Sequence, residues 1–200
     1  MSIVKNKVYL FDFDGTLTRS QTITLFLRHV GASKWQRCAY GLRKLMVKIH
    51  LMSADTAVER TLRAALRRYS EKEFADLCES FADVIESVKS PSGMGIVTHA
   101  QAHNIDVRIV SDNIESIIRP WALRHNIVDV TATQWDQSRL CLATPVCDGV
   151  ERVHRLAPIY IPRDQYLITA FGDSRADSEA RGDTPMFLYA DSWLHLHRRK

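Results

Sequence analysis

The chain has 200 residues, ordinary apolar content and a formal net charge of +4. That is enough chain for one sizeable core carrying an insertion, and the composition is that of a globular protein rather than a disordered one. The charge is mild and basic residues are not interleaved with aromatics, which argues against a nucleic-acid partner, and no run of about 18 apolar residues predicts a transmembrane segment.

The amino-terminal apolar run is broken by Lys5, Lys7 and Asp12 and no small-residue cleavage site follows, so no secretory leader is expected. The four cysteines, Cys38, Cys78, Cys141 and Cys147, form no CxxC pair and have no histidine at zinc-like spacing. They read as reduced thiols of a cytoplasmic protein.

In chain order, Val8-Tyr9-Leu10-Phe11 is short, apolar and rich in strand formers, and it leads into Asp12-Phe13-Asp14-Gly15-Thr16. A buried strand therefore delivers two carboxylates to its carboxyl end, and Gly15 lets the chain turn away sharply. From about Arg19 to Lys89 the pattern is helical throughout. Thr22 to Val30 is apolar on one face and closed by Gly31. Ser33 to His50 is amphipathic and basic. Thr56 with Glu59 suggests a capping box for a helix reaching Tyr69, and Ser70 with Glu73 a clearer one. Ser90-Pro91-Ser92-Gly93 then punctuates the chain.

Beyond it, Gly93 to His103 reads as a helix and Ile105 to Val110 as a strand ending at Ser111-Asp112-Asn113. Ile114 to His125 is a helix that Pro120 bends or ends. Ile127 to Thr131 is a short strand, Leu140 to Pro145 part of a hairpin, and Gly149 to Leu156 a helix. Tyr166 to Phe171 is a strand ending at Gly172-Asp173. Met186 to Ala190 reads as a last short strand and His195 to Lys200 as a frayed helix end. Strands alternating with helices predict an α/β fold, a Rossmann-like parallel sheet. Residues 1–18 and 91–200 are expected to form this core and 19–90 an inserted all-helical cap.

Three strand ends carry polar groups of one kind: Asp12 with Asp14, Ser111, and Asp173 with Asp177. Ligands of open α/β sheets bind at such ends. Carboxylates without Cys or His select a hard cation, magnesium above all. Ser111 alone is equally well suited to capping a helix.

FDFDGT, the serine of IVSDN, the basic residues of GVERVHRL, and GDSRAD together resemble, in order, the four motifs of the haloacid dehalogenase-like phosphatases. The helical insertion is similar to that of the phosphoserine phosphatase subgroup. The Pro120-Trp121 pair resembles phosphatases of the phosphatidylglycerophosphatase C type. The resemblance implies Asp12 as nucleophile and Asp14 as general acid and base. Ser111 and Arg152 would hold the phosphoryl group. Mg2+ would be bound by Asp12, Asp14 through its backbone carbonyl, Asp173 and Asp177. Arg155 lies one turn from Arg152, and either could face the site.

The substrate implied is a small phosphorylated metabolite. Gln21 stands where phosphoserine phosphatases carry a glutamate that reads the substrate amine, so phosphoserine itself is not expected. Asn113 is a second candidate substrate contact, and Asp112 beside it adds a carboxylate that would disfavour bulky anionic substrates unless it points away. The alternatives are a lipid-phosphate phosphatase touching a membrane surface, a phosphotransferase, and a silent binding protein on the same fold.

Overall fold

The computed structural model describes residues 5–173 and 182–196. Strand β1 (Asn6–Phe11) is followed by four helices, α1 (Thr22–His29), α2 (Lys34–Lys48), α3 (Ala54–Leu66) and α4 (Glu71–Ser87). Next come α5 (Pro91–Ala102), β2 (Asp106–Ile114), α6 (Glu115–Arg124) and β3 (Asp129–Thr133). A small hairpin of β4 (Trp135–Asp136) and β5 (Cys141–Leu142) leads to α7 (Val150–Leu156). The chain closes with β6 (Tyr166–Gly172), α8 (Thr184–Tyr189) and β7 (Ser192–His195).

Five strands form one parallel sheet in the order β3-β2-β1-β6-β7. Strand β1 is central: Phe11 is in register with Ile109 of β2 and with Phe171 of β6. Its side chains alternate between two hydrophobic clusters, as the two-residue period of a strand requires. Val8 and Leu10 meet Leu156, Tyr160, Met186 and Phe187 under α7 and α8. Phe11 and Phe13 face the other way, into a cluster that includes Ile117, Trp121, Phe26, Phe74 and Phe81.

That second cluster shows how the four helices are attached. Buried side chains of α1 and α4 are continuous with those under the sheet. At the helix pair α4–α6, Glu86 accepts hydrogen bonds from Trp121 Nε1 at 2.9 Å and bonds His125 Nε2 at 2.8 Å. The two ends of the helical stretch run side by side, Arg19 N donating to Val88 O at 2.8 Å and Ser90 N to Leu17 O at 2.7 Å. Gly93 lies so near the Thr16 carbonyl that any Cβ would collide with it.

Several boundaries differ from the sequence reading. The cap of α3 is Ser53, which accepts from Thr56 N, so Thr56 is inside the helix. Strand β2 continues through Ser111 to Ile114, carried by a register shift against β3. Helix α6 runs through Pro120 without ending there. Met186 to Ala190 is not a strand: Pro185 opens a helix that buries Met186 and Phe187. His195 belongs to the last strand, and residues 197–200 lie outside the described ones.

Glu86 ties one of the four helices to the core. The hydrogen bond from Lys89, with those from His125 and Trp121, holds its carboxyl down at about 2 against partial burial. A lowered acid pKa stabilises the fold at pH above the ordinary value near ~4.3 and loses that contribution as pH falls toward about 2. Glu86→Ala is expected to cost about 1 kcal/mol at neutral pH in a denaturant titration, and the difference from the parent should vanish toward pH 2.

Candidate active site

The alternation in β1 sends Asp12 to the same side as Val8 and Leu10, the side covered by α7 and α8. Both helices meet it with charge. Arg152, in the first turn of α7, donates from one terminal nitrogen to Asp12 Oδ1 at 3.0 Å and from the other to Asp183 Oδ1 at 2.6 Å. All three side chains are buried. Arg155 turns elsewhere, pairing with Glu151 at 2.8 Å and donating to the Ala132 and Pro145 carbonyls. The sequence left these two arginines open. Leu156 lies one turn after Arg152 on the buried face, and that spacing was the available signal.

Asp183 was missed. It precedes Thr184-Pro185, the place of a helix cap, yet its carboxylate makes no capping bond and reaches Arg152 instead. Gly172 at the end of β6 makes room for it, since a Cβ there would occupy the position of the Asp183 carboxylate. Asp12, Asp173 and Asp183 each bring a carboxylate oxygen to within 4.8 Å of the others. These are hard oxygen donors with no soft ligand among them, the chemistry that suits a magnesium-like cation. Against one guanidinium they leave a formal excess of two negative charges. Asp177 lies outside the described residues.

The electrostatics follow from this crowding. Burial first, and then the Asp183 carboxylate, push Asp12 well above the ordinary carboxylate range, while Arg152 pulls the other way. Burial opposes the charge of Arg152, but Asp12 and then Asp183 more than offset it, so the guanidinium is held in its charged form. Its buried Nε has no hydrogen-bond partner among the described residues.

Asp14 faces the other way. The turn at Gly15, with φ of 96°, is followed by Thr18 and Thr22, and Asp14 accepts from Thr22 N at 3.0 Å and Thr22 Oγ1 at 2.6 Å, and from Thr18 Oγ1 at 3.4 Å. Burial pushes it up to about 7 although the Thr22 hydrogen bonds pull it down. Its side chain is not among the three converging carboxylates. Asn113 donates to Asp14 Oδ2 at 3.5 Å and to Thr22, and accepts from Ile114 N at 2.7 Å. Its amide is thus engaged in holding Asp14 and the start of α1. Thr18 and Thr22, which hold Asp14, were also not singled out in the sequence. Ser111 is fully buried, and its hydroxyl accepts from Asn113 N at 3.1 Å.

Beside Asp14 opens a cavity of about 180 Å³. Gln21, Asp112 and Asn113 line it, so Asp112 does not point away. The opposite wall comes from α2 and α3 and is mostly apolar, with Tyr40 and Lys44 as its polar members.

A parallel α/β sheet with carboxylates gathered at its strand ends puts hard oxygen donors where open α/β sheets bind their ligands. Residues 9–180 match the model of the haloacid dehalogenase-like hydrolases, and the chain belongs to that family. Protein CicA of Caulobacter vibrioides (strain NA1000 / CB15N) is 27% identical over 194 residues, covering 90% of this chain and 82% of that protein. A protein of unknown function from Bordetella pertussis Tohama I superposes with a TM-score of 0.78 at 18% identity, over 94% of this chain and 89% of that one. A phosphoserine phosphohydrolase-like protein from Francisella tularensis superposes at 0.65 and 17% identity, over 96% and 86%. At these identities the structural likeness is one of fold.

Removing the cation between two buried acids should be costly. Arg152→Met is expected to destabilise the metal-free protein by about 3–5 kcal/mol in a denaturant titration. Adding Asp183→Asn to the same chain should recover a substantial part of that loss.

Proposed function

We propose that this protein is a magnesium-dependent phosphomonoester hydrolase working through an aspartyl-phosphate. The observation that carries the reading is the meeting of Asp12, Asp173, Asp183 and Arg152 at the carboxyl ends of β1 and β6. Family membership supports it, and solved structures of the same fold include a phospho-aspartyl intermediate analogue of phosphoserine phosphatase.

An Asp12 carboxylate oxygen attacks phosphorus as the bond to the leaving oxygen breaks, and Asp14 gives its proton to the departing alkoxide. Water then attacks phosphorus, Asp14 takes its proton, and the bond between phosphorus and Asp12 breaks. The products are the alcohol and inorganic phosphate. Arg152 holds Asp12 in place and presents an unused N–H, and Ser111 offers a hydroxyl to a phosphoryl oxygen. Asp12, Asp173 and Asp183, with the backbone carbonyl of Asp14, would hold Mg2+, which supplies charge neutralisation for phosphoryl transfer.

Residues 19–90 act in this reading as a cap, with α2 and α3 forming the wall that meets the leaving group. Gln21 puts no charge on the side facing that wall, and Lys44 faces Asp112 across the cavity. The substrate is a small phosphorylated metabolite whose leaving group has an apolar portion. A phosphotransferase would share the first step and would be recognised by transfer to an added alcohol in excess of phosphate release.

Phosphate release from an aryl phosphate tests the proposal. Chelation of divalent metal should abolish it. Asp12→Asn should lower it at least about a thousandfold, near ~4 kcal/mol of barrier. Asp183→Asn should raise the magnesium concentration needed for half-maximal rate by about tenfold or more. Turnover indifferent to metal and to Asp12→Asn would overturn the proposal.

A further inference from the structure

Helix α2 is unlike every other long helix of the described residues: none of its side chains is buried. Its inner face rests on α3, with Gln36 Nε2 donating to Ala64 O at 2.7 Å and Arg43 to Thr61 Oγ1 at 3.2 Å. The outer face is exposed. There Trp35, Cys38, Leu42, Leu45 and Ile49 recur at steps of three and four, one stripe along the helix. Trp35 is 85% exposed and Leu42 60%, and Leu51 just beyond the helix is 70% exposed. Scattered exposed apolar residues need no explanation, but a contiguous row of large ones does.

Charge decides what the row meets. Every charged residue from Thr16 through Ala54 is Lys or Arg, with no Asp or Glu among them. By helical position Lys34, Arg37 and Lys48 flank one side of the stripe. A second copy docked by the same stripe would set these cations against each other with no acid on the helix to pair them. An apolar stripe carrying an aromatic and flanked by lysines is the pattern of a helix lying in the plane of an anionic bilayer surface.

We propose that α2 is a docking surface for anionic membranes. The stripe enters the boundary between headgroups and acyl chains, and the lysine flank meets lipid phosphates. The opposite side of α2 gives Tyr40, Lys44 and Val47 to the cavity beside Asp14, so docking leaves that cavity about 10 Å, one helix diameter, from the bilayer. Docking does not depend on the chemistry at Asp12, and binding can be measured without turnover.

The test is co-sedimentation of the full chain with vesicles of phosphatidylcholine alone, and of phosphatidylcholine and phosphatidylglycerol in equal parts. Binding is expected to the mixed vesicles, weakening as salt rises. Leu42→Glu with Leu45→Glu should lower the partition coefficient by roughly tenfold or more, while circular dichroism and melting stay those of the parent. Lys34→Gln with Lys48→Gln should weaken binding to the mixed vesicles only. No binding to the mixed vesicles at low salt would overturn the proposal. So would binding unchanged by the paired glutamates, or a dimer in solution that those glutamates dissolve.

Discussion

Everything at the site depends on one buried arrangement, the Arg152 guanidinium held between Asp12 and Asp183. Taking three charges out of water is expensive, and mutual attraction offsets the cost only in part. The surrounding sequence is fitted to it. Gly172 leaves space for one carboxylate, the two-residue period of β1 aims the other, and the spacing of Arg152 to Leu156 on α7 brings the cation between them. Asp173 then adds a further carboxylate and leaves negative charge in excess. A fold seeking only stability gains little from such a cluster. A fold that binds a hard cation and a phosphoryl group has a use for each member.

The two acids of FDFDGT are separated by this geometry into different environments. Asp12 shares Arg152 with Asp183, whereas Asp14 is held by Thr22, Thr18 and Asn113 and pushed up by burial to about 7. Carboxylates whose surroundings differ in this way can divide the roles of nucleophile and proton carrier. The helices after β1 serve both ends of the molecule. α1 and α4 share the core and Glu86 ties α4 to α6, while α2 and α3 stand beside the cavity.

The central strands and most helices were legible because their patterns are strong. β1 and β6 are apolar runs ended by Asp or Gly-Asp, and Ser70 with Glu73 forms the capping box that the spacing announces. Asp12, Asp14, Ser111 and Asp173 could be picked out because they follow apolar runs that read as strands, and Arg152 through the resemblance of GVERVHRL to a family motif. What escaped notice had weaker local signals. Met186 to Ala190 is apolar and short enough to pass for a strand, and only Pro185 after Asp183-Thr184 marks a helix start. Asp183 therefore looked like a cap. Its role comes from Gly172 and Arg152, which are distant in sequence and near only in the fold. Asn113, expected as a substrate contact, lines the cavity, but its place beyond Ser111 says nothing of Thr22, to which its amide turns.

The central claim is that Asp12 carries the phosphoryl group. Rapid acid quenching during turnover of an aryl phosphate, followed by peptide mapping, tests it most directly. The account predicts a phosphoryl group on the peptide containing Asp12 and none in Asp12→Asn. A phosphoryl group on any other residue, or continued turnover by Asp12→Asn, would contradict it.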